Sequence, residues 1–243
     1  MKAMVLAAGL GTRLRPLTDD RPKALVEVGS RTMLELTLRR LASFGIREVI
    51  VNAHHFADML VDYLKANDNF GLHIEISRED VLLDTGGGIK KAAGFFLRDG
   101  ETDAPFLVHN VDVLSDIDLN AMRNAHVKQA ALATMAVQER RTSRYLLFDE
   151  QGMLCGRRAG LDGEPKMVRA AAETRALAFC GIHILSTRIF PLLTETGVFS
   201  IIPAYLRLAG QGERIAAFSA DGYRWRDLGK PESVAQAASE LNL

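Results

Sequence analysis

Cysteine is scarce. Cys155 and Cys180 are the only two in 243 residues, and their spacing matches neither a CxxC redox pair nor a zinc knuckle, so a disulfide scaffold is excluded and reduced thiols are expected. Net charge is missing as well: 30 basic residues cancel 30 acidic ones. That removes the broad field on which general nucleic-acid binders rely, while leaving room for a local anion site. No apolar run is long enough to span a bilayer, and the short one after Lys2 is too brief for the core of a secretion signal. The expectation is a cytoplasmic protein with neither nucleic acid nor membrane as partner, a monomer or small homo-oligomer. Internal repeats and low-complexity linkers are also lacking. With 48% hydrophobic and 25% charged residues, the chain suits one α/β domain over 1–243 with no C-terminal β-helix.

Apolar segments bounded by turn residues alternate with amphipathic ones through the first half, which predicts repeated strand-helix units and a mainly parallel central sheet flanked by helices. Strands are expected over Ala3–Ala8, Glu48–Asn52, Leu72–Ile76 and Ala104–Val108. Helices are expected over Thr32–Phe44, with Gly45 to stop it, over Phe56–Leu64 and over Thr85–Leu97. From Ala130 onward the rhythm changes to short strands, at 130–137, 145–148, 153–155 and 176–185, without long helices between them. A small antiparallel extension of a Rossmann-like core fits that pattern. Helices at 201–208 and 231–241 then flank a strand at 214–218.

The first strand runs straight into Gly9-Leu10-Gly11-Thr12-Arg13-Leu14-Arg15, continuing to Lys23. Glycines let backbone N–H groups approach phosphate oxygens, and Arg13, Arg15 and Lys23 add positive charge of both the forked and the point-charge kind. This is not a dinucleotide fingerprint, because Leu14 stands where the third glycine belongs, nor a P-loop, because no Gly-Lys pair stands at the right distance. Acids at strand ends are the candidate metal ligands, since magnesium takes one or two carboxylates plus phosphate oxygens and water. Asp112 follows the apolar strand ending at Val108, and Asp227 sits in Trp225-Arg226-Asp227-Leu228-Gly229.

The run LAAGLGTRLRPLTDDRPK resembles the signature of the nucleotide-sugar pyrophosphorylases, the sugar-1-phosphate nucleotidyltransferases. The resemblance implies a nucleotide-diphospho-sugar transferase fold and magnesium-dependent transfer of a nucleotidyl group to a sugar 1-phosphate. It implies that Leu6, Ala8, Gly9, Gly11, Thr12 and Arg13 hold the triphosphate, with Arg13 at the β- and γ-phosphates and Lys23 at the α-phosphate. Asp112 matches the metal aspartate of a motif usually written Gly-Asp, here with Val111 for the glycine. Asp227 lies in a stretch similar to W-x-D-x-G-T, here with Lys230 for the threonine.

Thr85, Gly86 and Gly87, in a triple-glycine helix start, resemble the region that lines the nucleobase, and Glu79 is a candidate acceptor for guanine. Phe179-Cys180-Gly181-Ile182 is similar to the stretch whose glycine borders the sugar, with Asn52 and Asn110 at neighbouring strand ends. The pattern resembles N-acetylmuramate-1-phosphate uridylyltransferases and mannose- or heptose-1-phosphate guanylyltransferases, leaving the base open between UTP and GTP. The Glu-Lys-Pro sugar-phosphate motif of many members is missing; Arg144, Lys166 and Arg169 are candidate phosphate contacts, although each reads first as a solvated surface charge. Trp225 reads as packing support for Asp227, and the His54–His55 pair as surface or capping residues rather than metal ligands. The rivals are an oxidoreductase, which should show an acid where the second strand ends at Asn52, a non-catalytic nucleotide-binding regulator, which should lack the metal acids, and cytidylyl transfer to a phosphorylated alcohol.

Overall fold

The computed structural model describes residues 1–241. Four strands form the parallel core: β1 (Ala3–Leu6), then, after the short ribbon of β2 (Glu27–Val28) and β3 (Arg31–Thr32), β4 (Glu48–Ala53), β5 (His73–Arg78) and β6 (Pro105–Asn110). They lie side by side in the order β5-β4-β1-β6. Alternate residues of β1 serve opposite cores. Ala3 and Val5 join the layer of helices α1 (Met33–Ser43) and α2 (Ala57–Ala66), while Met4 and Leu6 join the layer of α3 (Asp84–Lys91) and α4 (Ala93–Leu97). A strand buried on both faces carries no polar alternation, hence its continuous apolar run.

Helix α1 starts where its sequence dictates. The Thr32 hydroxyl accepts from the Glu35 N–H at 3.0 Å, with an acid three residues into the helix, and Gly45, at φ +77°, ends the turn beyond it. The single helix expected over Thr85–Leu97 is instead two, bent at the buried Ala92. The bend turns Phe95 and Phe96 inward, where Phe96 stacks on Phe106 with ring centroids 4.0 Å apart.

The antiparallel part is built as expected. Strands β8 (Ala133–Gln138), β9 (Arg144–Phe148) and β10 (Leu154–Ala159), with the long β12 (Arg175–Ser186), extend the sheet beyond β6. The two-residue β11 (Lys166–Met167) closes that edge, and β13 (Ile215–Ser219) runs parallel to β8. Helices α6 (Ile201–Gly210) and α7 (Pro231–Leu241) fall where periodicity predicts them. The short strands β2, β3 and β11 were not anticipated, nor were three further elements. Helix α5 (Leu119–Lys128) is capped by Asp118, whose carboxylate accepts from the N–H groups of Asn120 and Ala121. Strands β7 (Val113–Ser115) and β14 (Trp225–Asp227) pair with each other as a separate two-stranded ribbon.

Three buried imidazoles are held neutral. Burial pulls His109 down to about 4, with Arg40 adding to the effect; burial likewise takes His126 to about 4 and His183 to about 3. Their folded values lie below the unfolded value of about 6.5, so as pH falls the unfolded chain takes up protons the folded one refuses. The stability associated with them is complete above about pH 6.5 and is lost progressively toward pH 4. One pH unit below 6.5 costs about 1.4 kcal/mol per ring, and carboxylates remain largely ionised there. The midpoint of urea unfolding should therefore fall between pH 7.5 and pH 5.5; a flat profile across that window contradicts the assignment.

Candidate active site

The carboxyl ends of β1, β4 and β6 converge, as ligand sites of open α/β sheets do. After β1 the chain enters the Ala7–Arg13 loop, fixed from beneath by Asn52 at the end of β4. The Asn52 Oδ1 accepts from the Ala7 N–H at 2.6 Å and the Ala8 N–H at 3.3 Å, and its Nδ2 donates to Glu79 Oε1 at 2.8 Å. The other Glu79 oxygen accepts from the Leu83 N–H at 2.9 Å. Both side chains are buried, and every polar atom of the pair is engaged inside the protein. Asn52, expected at the sugar, and Glu79, expected at the base, thus act as a brace that ties the phosphate loop to the turn leading into α3.

Gly11 adopts φ +65°, and a Cβ there would stand 2.9 Å from Thr18 Cγ2 and 3.1 Å from Lys23 Cβ. The loop folds tightly over Thr18, whose hydroxyl donates to the Gly11 carbonyl at 2.9 Å. The same fold brings Lys23 beneath Gly9 and into an ion pair with Asp112, Nζ to Oδ2 3.0 Å, with both side chains largely buried. Thr12 and Arg13 are exposed on the short 3-10 turn beyond, and Leu6 closes the strand by accepting from the Val111 N–H at 3.2 Å. Val111, which replaces a glycine of the pattern, is buried and does not adopt a positive φ, so the substitution leaves the backbone before Asp112 unstrained.

Asp112 and Asp227, 115 positions apart in the 243-residue chain, are brought to the same end of the β7–β14 ribbon and line the same cleft. Asp227 stands opposite Val113, and the Leu228 N–H donates to the Asp112 carbonyl at 2.8 Å. The Gly229 N–H donates to Asp227 Oδ1 at 2.6 Å, and a Cβ on Gly229 would lie 2.6 Å from both that oxygen and Arg13 Nη2. The bare Gly229 thus lets the ends of Arg13 and Asp227 both lie against the backbone. Trp225 supports the ribbon. Its Nε1 donates to the Cys180 carbonyl at 2.7 Å, and the Arg140 guanidinium lies 3.8 Å over its ring.

A cleft of about 880 Å³ opens beside these groups. Arg13, Asn110, Asp112, Gly181 and Asp227 line it, whereas Thr85, Gly86, Gly87 and Gly9 lie outside its lining. Gly181 has φ +74°, and a Cβ on it would stand 2.9 Å from Asn110 Nδ2, so these two sugar candidates are neighbours. The triple glycine is explained by packing. The Gly86 and Gly87 N–H groups donate to the Phe199 carbonyl at 2.9 and 3.1 Å, and a Cβ on Gly86 would meet the Phe199 ring at 2.4 Å. Thr85 Oγ1 accepts from Ile201 N at 3.0 Å, capping α6. The far wall is basic: Arg144 and Lys166, weighed from sequence as surface charges or phosphate contacts, line the cleft with Arg157 and Arg158, while Arg169 instead pairs with Asp149 at 3.0 Å. No sequence signal marked Arg140, Arg157 or Arg158. The Cys180 thiol, pushed up to about 11 chiefly by burial, is no nucleophile. His54 Nδ1 lies 2.7 Å from the Glu79 carbonyl, away from both aspartates.

The donor set fits a hard divalent cation. Two carboxylates at the same end of the ribbon line one cleft, a lysine ammonium already sits on one of them, and among the described residues no cluster of three or more His, Cys, Asp or Glu forms a complete cage. Magnesium binds in that manner, through one or two carboxylates with water and phosphate oxygens completing its shell.

A glycine-bearing loop on a parallel sheet, flanked by cations and two acids, is an arrangement suited to a polyphosphate. The chain belongs to the Nucleotidyl transferase family, whose pattern matches residues 2–242, and is an enzyme of nucleotide-sugar synthesis in that family. It is 36% identical to the N-acetylmuramate alpha-1-phosphate uridylyltransferase of Caulobacter vibrioides, over 98% of this chain and 96% of that one. It is 30% identical to the mannose-1-phosphate guanyltransferase of Yarrowia lipolytica over 96% of this chain, but spans only 61% of that longer protein. The fold matches HddC from Yersinia pseudotuberculosis complexed with GMP-PN, with a TM-score of 0.77, 21% identity and 99% of both chains covered. No helix among the described residues is long and apolar enough to cross a membrane.

The brace generates a prediction. Asn52→Leu leaves one Glu79 carboxylate oxygen and two loop N–H groups without their partners, which should cost about 2–4 kcal/mol in urea unfolding. Wild-type stability in that variant would show the brace to be dispensable.

Proposed function

We propose that the protein transfers a uridylyl group from UTP to N-acetylmuramate 1-phosphate, releasing pyrophosphate. The single observation that carries the reading is that Arg13, Asp112 and Asp227 line one cleft, with Lys23 ion-paired to Asp112 at its edge. A non-catalytic nucleotide binder has no use for two acids and a lysine set among phosphate-binding groups. An oxidoreductase is disfavoured because the residue ending β4 is Asn52, committed to the loop brace. The uridylyl and N-acetylmuramate assignments rest on the relative matched over nearly its whole length.

A sugar 1-phosphate oxygen is already an anion near neutral pH, so no general base is required. It attacks the α-phosphorus in line; a new P–O bond forms as the bond to the β-phosphate oxygen breaks, and pyrophosphate leaves with that electron pair. Lys23 neutralises charge at the α-phosphate, and Arg13 grips the departing pyrophosphate with its forked donors. The Gly9–Thr12 backbone cradles the triphosphate. Asp112 and Asp227 would hold magnesium, which supplies charge neutralisation and orientation for the phosphates when bound. Asn110 and the Gly181 backbone border the sugar. Positioning and fixed charge account for the rate, as in phosphoryl transfer generally.

The test is pyrophosphate release with each of UTP, GTP, CTP and dTTP against N-acetylmuramate, mannose and heptose 1-phosphates. UTP with N-acetylmuramate 1-phosphate should give the highest kcat/KM; preference for GTP with mannose or heptose 1-phosphate would replace this reading with the guanylyl one. Lys23→Ala and Asp112→Asn should each lower kcat by about 10²–10³-fold or more while thermal melting still shows a folded protein. Near-wild-type turnover in either removes that residue from the chemistry.

A further inference from the structure

The cleft lining carries seven cationic side chains against three carboxylates, and two of those three are Asp112 and Asp227. The excess is not spread evenly. In the β9–β10–β11 sheet Arg157 stands opposite both Leu146 and Lys166, and Arg144 stands opposite Ala159, two residues along each strand. Residues opposite each other, and residues two apart, share a face, so Arg144, Arg157 and Lys166 project from one side of this small sheet. Like charges directly opposed across strands are destabilising. Elsewhere in the molecule such arginines are neutralised, Arg169 by Asp149 at 3.0 Å and Arg175 by Glu139 at 2.5 Å, but among the described residues these three have no carboxylate at ion-pair distance. Two further cations of the same cleft, Arg140 and Arg158, have Nε atoms shielded from solvent with no acceptor.

Strand order separates this cluster from the triphosphate. The phosphate loop leaves β1, and the brace lies on the β4–β5 side of it; β9, β10 and β11 lie on the opposite side, beyond β6 and β12. The cations of Arg13 and Lys23 serve the reacting phosphates, so the cluster faces the far end of the acceptor.

We infer that Arg144, Arg157 and Lys166 form a second anion subsite that selects acceptors whose sugar carries a carboxylate in addition to its 1-phosphate. The inference rests on the proposed sugar 1-phosphate reading and deepens it: the lactyl ether of N-acetylmuramate is such a carboxylate, and N-acetylglucosamine is the same sugar without it. The unpaired cations explain why an otherwise unfavourable like-charge pair is kept, since a bound carboxylate gives them charge-assisted hydrogen bonds.

The experiment compares kcat/KM for N-acetylmuramate 1-phosphate and N-acetylglucosamine 1-phosphate, both with UTP, in wild type, Arg157→Gln, Lys166→Gln and the conservative Arg157→Lys. Wild type should prefer the acidic sugar. Each Gln variant should lose about tenfold or more of that preference, chiefly through KM, and Arg157→Lys should restore part of it. Melting temperature should hold or rise in Arg157→Gln as the repulsion is relieved. An equal loss on both sugars assigns the cations to the shared 1-phosphate and overturns the inference, as does an unchanged ratio or a lowered melting temperature. Failure of wild type to turn over either sugar refutes the acceptor reading itself, and this inference with it.

Discussion

The pairing of β7 with β14 is the contact on which the rest of the site depends. Six residues, in two strands far apart in the chain, bring Asp112 and Asp227 to the same end of one ribbon, locked by the bond from the Leu228 N–H to the Asp112 carbonyl. Neither acid has a role alone. Brought together, they set a negative locus against the cations of the phosphate loop, and Lys23 already answers it with its ammonium on Asp112. Gly229 leaves room for both side chains, because a Cβ there would have to displace the ends of Arg13 and Asp227.

Around that ribbon the sheet divides the labour. On the β4–β5 side, Asn52 and Glu79 are inward-facing and bonded to each other and to the backbone, so they shape the loop. A buried amide and carboxylate in such a network are costly to leave half-satisfied, which makes the brace rigid and the loop backbone well aimed. Toward β12 and β9 the lining is open and basic, with side chains left uncommitted. One end is preorganised and the other is poised for charge; that contrast suits a reaction joining a constant polyphosphate to a variable acceptor.

Much of this was legible in the sequence, for reasons that can be named. Strand β1 and helix α1 announce themselves because burial on two faces and a Thr-to-Glu cap leave local patterns. That Lys23, Asp112 and Asp227 would lie near one another was suggested by the resemblance of their surrounding motifs, and the fold places Lys23 on Asp112 and both aspartates by the same ribbon. The ribbon joining the two acids was not legible, since strands of three residues have no periodicity and their partnership is purely tertiary. Asn52 and Glu79 read as ligand contacts from their strand-end positions, and only the fold reveals that they face each other. The glycines of Gly86-Gly87-Gly88 have the same lesson. Their small size was evident, but the neighbour that needs it is the Gly197–Phe199 segment packed against them for Gly86 and Gly87, and the brace itself for Gly88. Arg144 and Lys166 look like ordinary surface charge until β9, β10 and β11 align them on one face.

The central claim is that Asp112 and Asp227 hold one divalent ion jointly. Manganese is a spectroscopic substitute for magnesium, and its binding can be followed by electron paramagnetic resonance in the presence of UTP, in wild type and in Asp112→Asn and Asp227→Asn. The account predicts a single tight site in wild type that is lost or severely weakened by either substitution alone. Retention of that site at wild-type affinity when either carboxylate is replaced would contradict it.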